Sequence, residues 1–199
     1  MTRWLTMAAL MVAAGSRAEM PTVEKNADLN VAMTFADGRK VEGHVIRVER
    51  GQDWFAEQGW VDSASKLVLT LDGGGTEVDR AWTDIASVDV KYGGKTDVDC
   101  MYESEFTPWM YSCTLQTTPT VKTRDGKSWS ATTRNKWRFV FDNGTTEEFF
   151  LKKLPVRQQE DPSEGHAGSE NHALYAALQA DVWQQAQRAV TKIEFKPSR

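Results

Sequence analysis

Residues 29–50 read LNVAMTFADGRKVEGHVIRVER. Leu29, Val31, Met33 and Phe35 fall on one face of an extended chain, and Asn30 and Thr34 on the other. Successive strand side chains point to opposite faces, so this alternation predicts a half-buried strand. Ala36-Asp37-Gly38 then supplies turn chemistry, with the glycine free to take positive φ. A second, longer strand follows through Arg50, and Gly43 inside it suggests a bulge or a sharp bend. Strand, tight turn and long interrupted strand together point to a mainly β fold.

Working downstream, GQDWFAEQGWVDSASK (51–66) reads as a long loop or short helix carrying Trp54 and Trp60. KLVLTLD (66–72) alternates through Leu67, Leu69 and Leu71. Gly73-Gly74-Gly75 turns that strand into TEVDR. A phosphate loop would need a following Lys-Ser/Thr and a helix, and neither is present, so the glycines are read as a hairpin turn. Ala81–Ile85 is expected to be one tight turn, and Ser87–Lys91 a strand.

These pieces, with Asp37-Gly38-Arg39, Gly43, LVLTL and WTDIASVDV, resemble the Sm-like small β-barrel over residues 28–92. The resemblance implies a small, strongly bent barrel. The family's RNA-contacting residues do not carry over, because Glu49-Arg50-Gly51 stands where the family has an Asp and then an Asn. LNV at 29–31 and GWVDS at 59–63 are also similar to the bacterial cell-wall-binding Src-homology-type barrel. Neither resemblance implies a particular ligand here.

Beyond residue 92 the pattern stays β. WRFVFDNGTTEEFF (137–150) places Asn143-Gly144 between two apolar strands, which calls for a type I′ hairpin. A two-residue loop would set Phe139 opposite Glu148. A one-residue bulge would set Phe139 opposite Phe149 and Trp137 opposite Leu151, and this register is the one expected. Asp125-Gly126 suggests another hairpin. DPSEGHAGS (161–169) reads as a linker, with Ser169 able to cap a helix after it. Leu174, Leu178, Val182, Ala186 and Val190 then recur every four residues, an amphipathic helix packed on the sheets. The closing TKIEF alternates as a short strand. The expected organisation is a signal peptide (1–18), a small β-barrel (19–92), a hairpin region with a disulfide (93–160), a linker (161–169), and a C-terminal helix with a short strand (170–199).

The chain has two cysteines, Cys100 and Cys113, within DCMYESEFTPWMYSC (99–113). Two thiols cannot complete a tetrahedral site, no histidine is near in sequence, and the C-x-x-C spacing of thiol exchange is absent. A disulfide is the expected state. If the two face each other across an antiparallel pair, Val98 meets Leu115, Tyr102 meets Tyr111 and Ser104 meets Trp109, all on one face. Pro108 cannot donate to a ladder, so pairing should stop before the tip.

The N-terminus supports an oxidising destination. Arg3, the apolar run Trp4–Ala14 and the small-residue exit Ser16-Arg17-Ala18 have the form of a secretory leader cut after Ala18. No later apolar run is long enough to span a membrane as a helix. The mature chain is expected to be exported, either periplasmic or secreted. Loss of Arg3 and Arg17 takes the formal charge from −4 to −6. An acidic exported chain is a poor nucleic-acid binder, because that affinity comes from neutralising phosphates.

No reaction motif declares itself. G-x-S-x-G and H-E-x-x-H are absent. A metal pair on His166 and His172 would need distant ligands such as Glu164 or Glu170. Asp97, Asp99, Glu103 and Glu105 alternate with apolar residues and would share one strand face. They are candidate calcium ligands or hydrolase acids, against the simpler reading of a solvated strand face. The sequence therefore points first to a non-enzymatic binding protein that needs no cofactor. Its partner would be an envelope protein, a glycan or the cell wall, met by Phe106 and Trp109 at the hairpin tip with Trp54 and Trp60. The alternatives are an exported hydrolase or a calcium-dependent module using the acids.

Overall fold

The computed structural model describes residues 25–51, 60–63, 66–71, 77–103, 110–133, 136–154, 157–160 and 172–197. In chain order the strands are β1 (Leu29–Phe35), β2 (Lys40–Gly51), β3 (Trp60–Ser63), β4 (Lys66–Leu71), β5 (Glu77–Ala81), β6 (Ile85–Tyr92), β7 (Val98–Glu103), β8 (Met110–Leu115), β9 (Thr117–Thr123), β10 (Ser128–Thr133), β11 (Lys136–Phe141), β12 (Thr146–Phe150), β13 (Arg157–Glu160) and β14 (Val190–Lys196). Helix α1 spans His172–Ala186, and short 3-10 turns occupy Trp82–Asp84 and Lys95–Asp97. The described residues are thus mainly β with one α-helix.

The large sheet is antiparallel and runs β12-β11-β2-β1-β14-β6-β9-β10-β4-β5, with β3 paired to β2. The short C-terminal strand lies near its middle, between β1 and β6. Residues 28–92 therefore do not close into a barrel of their own. β14 separates β1 from β6, and β9 from the second half of the chain lies beyond β6. The sheet instead curls over one core without a closing ladder among the described residues. Trp82 lies at the centre of that core, 2 % exposed. Its ring centroid is 5.2 Å from Trp137, 5.7 Å from Phe139 and 5.8 Å from Phe195. Strands that are distant in sheet order meet across this indole.

Three of its hairpins use one turn. In each, a three-residue loop ends in a glycine at positive φ: Gly38 (85°), Gly126 (84°) and Gly144 (81°). The residue before the loop and the one after it are bonded: Phe35 N–H to Arg39 C=O, Thr123 N–H to Lys127 C=O, and Phe141 N–H to Thr145 C=O. The residue preceding each glycine is Asp37, Asp125 or Asn143, and its side-chain oxygen accepts the N–H two residues on. Such a loop is a type I turn closed by a left-handed glycine.

This corrects the register expected for WRFVFDNGTTEEFF. Asn143 keeps negative φ, so the loop is Asp142-Asn143-Gly144 and not a type I′ pair. Phe139 faces Glu147 and Trp137 faces Phe149. The shift from the expected register is two residues, which leaves every side chain on its expected face. Gly43 is not a bulge either. The β1–β2 ladder passes through it in register, opposite Val31. A Cβ there would lie 2.6 Å from Cδ1 of Phe141, so the glycine makes room for that ring. The register shift on β2 comes next to it, where Val140 meets Arg47 and Phe141 meets Val45.

The second sheet is small, ordered β13-β8-β7. Helix α1 covers it with Leu174, Leu178, Val182 and Ala186, the stripe read from the sequence. These join Val98, Tyr111, Cys113, Leu115 and Leu154 in a second core. Val190, the fifth member of the four-residue series, has already left the helix and opens β14. Tyr92 packs against both cores and donates its hydroxyl to Val190 C=O at 2.8 Å. Burial pushes that phenol far above its ordinary pKa.

Candidate functional site

Of the residues singled out from the sequence, those that the structure describes do not come together in one site. Cys100 and Cys113 are bonded, and the flanking pairs are Val98–Leu115 and Tyr102–Tyr111 as expected. The tip with Glu105, Phe106 and Trp109, like Trp54 and His166, lies outside the described residues, as does the side chain of Glu103. Asp97 does not begin a row of strand carboxylates. It ends the 3-10 turn ahead of β7, and its Oδ2 accepts the Gly94 N–H at 2.6 Å. Asp99 is exposed on the strand itself. Among the described residues no three His, Cys, Asp or Glu side chains gather as metal ligands.

Trp60 is half-buried and engaged from within the chain. Lys136 Nζ lies 4.3 Å and Arg138 Cζ 4.0 Å from its ring centroid. Arg138 also donates to Glu148 at 2.7 Å and to Glu49 at 3.3 Å, its cross-strand neighbours on β12 and β2. β3 is paired to β2 by its backbone, and the cation–π contacts hold its indole against Lys136 and Arg138 of β11, the latter fixed by its ion pairs to β2 and β12. The indole is a structural clasp in this arrangement.

A different place has the shape of a binding site. A cleft of about 350 Å³ opens between strand β12 and the end of α1. Its floor is apolar: Phe35, Tyr92, Phe149, Leu154 and Val190. One wall is β12 itself, from Glu147 to Phe150. The opposite wall is Asp181, Gln184 and Gln185 of α1, beside its buried stripe, with Arg188 in the turn that follows the helix. Arg39 closes one end. Its guanidinium lies 3.5 Å from the Phe35 ring centroid and donates to both oxygens of Glu147, at 2.7 and 3.4 Å. The Ala36 N–H bonds Ala189 C=O at 2.9 Å, which ties the β1–β2 turn to the chain leaving the helix. An apolar floor with a few fixed polar groups at its rim is the common form of a ligand site.

Little of this was open to sequence reasoning. The polar spacing at 181, 184, 185 and 188 is visible in the sequence. The strand that faces it is not, because only the fold sets β12 at the sheet edge. Comparison with known proteins finds no matching family model, no matching curated protein and no matching solved structure.

Proposed function

We propose that this chain is an exported, non-enzymatic binding protein of the cell envelope or extracellular space, and that its partner docks in the cleft between β12 and α1. The observation that carries the reading is the pairing of an apolar floor with two polar walls of different kinds, a sheet edge and a helix face. The Cys100–Cys113 bond and the leader-like N-terminus support an oxidising compartment. Among the described residues no helix is long and apolar enough to cross a membrane. In this reading the likeness of residues 28–92 to the Sm-like barrel is one of local strand and turn order.

The test is capture from envelope extract by the mature protein and by a Gln184→Trp variant. Gln184 is exposed, so an indole there fills the cleft without entering a core. A partner held by the native protein and lost from the variant supports the cleft. Equal capture by both puts the binding surface elsewhere.

A further inference from the structure

Among the described strands the wall formed by β12 is a sheet edge, and its phase can be read. Phe141 N–H donates to Thr145 C=O, so 141 and 145 are a hydrogen-bonded pair. Antiparallel pairs alternate between bonded and non-bonded. Phe139–Glu147 and Trp137–Phe149 are then bonded pairs, while Arg138–Glu148 and Lys136–Phe150 are not. The N–H and C=O of Glu148 and Phe150 therefore point away from β11, toward the cleft. β12 pairs with β11 alone among the described strands. Unpaired edge groups beside an apolar trough are a template for another strand.

Resting on the cleft as the binding site, we infer that its occupant is an extended peptide segment of a partner protein, added as a strand to β12, with apolar side chains on the floor and a carboxylate at Arg188. A strand edge facing a helix across a groove is the arrangement used for peptide recognition by strand addition, in which main-chain bonds supply affinity and side-chain pockets supply selection. Charge selects the carboxylate. Arg39 is taken up by Glu147, and Arg138 by Glu148 and Glu49. Arg188 is exposed at the rim and has no side-chain partner among the described residues. A second copy of this chain is the poorer occupant. Pairing β12 with β12 antiparallel through Glu148 would set glutamates of the two chains side by side, and like charges in a cross-strand row repel.

The probe is a phage-displayed library of random eight-residue peptides, selected on the mature protein and depleted on Gln184→Trp. The expected consensus alternates apolar residues and carries one Asp or Glu. A synthetic consensus peptide is then titrated by calorimetry. Methylation of the backbone nitrogens that face β12 should weaken it at least tenfold, and methylation of the alternate nitrogens far less. Glu148→Pro removes one outward N–H without touching a β11 bond, so it should bind at least tenfold more weakly than Glu148→Ala. Arg188→Glu should reverse a preference for the acidic peptide over its Lys-substituted form. Methylation without effect, equal binding by the Pro and Ala variants, or no enrichment overturns strand addition. A concentration-dependent dimer that dissociates in Glu148→Pro overturns it in favour of self-pairing. If no peptide enriches while Gln184→Trp still loses an extract partner, the cleft stands as the site and only the peptide proposal falls.

Discussion

The two cores of this molecule are stabilised by different means. The larger is enclosed by one curled sheet, filled by aromatic rings and bounded by three copies of the same glycine turn. The smaller rests on three strands and one helix, and it carries the disulfide. A small core buries too little surface to hold itself, and cross-links are the usual supplement. The contrast teaches that the staple belongs to the part with the least apolar interior. The cleft lies where the two meet, with its floor drawn from both.

The most severe way to probe the contrast is Trp82→Ala. The indole touches rings from β11 and β14, and its removal leaves a void that a curled sheet cannot easily collapse. A loss of about 3–5 kcal/mol is expected. Denaturant unfolding followed by tryptophan fluorescence measures it. A loss below about 1 kcal/mol would show that the aromatic cluster does not organise the large core.

Next in size is the double change Cys100→Ser with Cys113→Ser. The bond spans a separation of 13 residues. A loop of this length is worth about 3 kcal/mol in the chain-entropy model. The loss should be local. Hydrogen exchange of amides in α1 and β8 should accelerate well before those of β1 and β14. Equal acceleration in all four would merge the two regions into one cooperative unit, with Tyr92 and its bond to Val190 as the coupling.

The same contrast separates what the sequence makes legible from what it hides. The cysteine hairpin is readable because the bond and the apolar alternation independently demand one register, Val98 with Leu115 and Tyr102 with Tyr111. The helix stripe is readable because four-residue spacing is local. The β11–β12 register is not. A period of two fixes the parity of pairing and not its value, so Phe139 satisfies the pattern equally against Phe149 or Glu147. The turn decides, through a glycine position that composition alone does not distinguish. Sheet order is hidden more deeply. Nothing local in TKIEF says that it lies between β1 and β6, and hence nothing local says that β12 is an edge. The long-range pairings that create the cleft leave no periodic trace.

Turn chemistry can be tested by Gly144→Ala. At φ 81° the added methyl meets no neighbour, so its cost is backbone strain alone. About 1 kcal/mol is expected from forcing an alanine into the left-handed region. Gly38→Ala and Gly126→Ala should match it, since all three glycines have the same conformation and open space around them. The measurement is the shift in denaturant midpoint. A cost confined to one of the three would mean that the repeated geometry is not a shared energetic device.

The smallest expected effect lies in the turn at Asp125. Its carboxylate accepts from the Thr123 hydroxyl and, at 3.0 Å, from Lys127 Nζ. Those donors, the Thr123 hydroxyl first, lower its pKa from 3.8 to about 2. A carboxyl depressed on folding stabilises the native state above its unfolded pKa, and that stabilisation is lost as pH falls through the folded value. The contribution should therefore be complete above about pH 4 and fade toward pH 2. Side-chain carboxyl shifts followed by NMR give the titration directly, and Asp125→Asn should flatten the matching part of the stability profile. The glycine turn at Asn143 supplies the internal control. Its amide oxygen takes the place of the carboxylate oxygen, accepting the Thr145 N–H at 2.9 Å and its hydroxyl at 2.7 Å, and it carries no charge to lose. Acid should consequently weaken the bonds that Asp125 accepts in the β9–β10 turn while leaving the bonds that the Asn143 amide oxygen accepts intact. If Asp125→Asn leaves the profile between pH 4 and 2 unchanged, the titrating group is elsewhere and the Asp125 carboxylate contributes no more than an amide would.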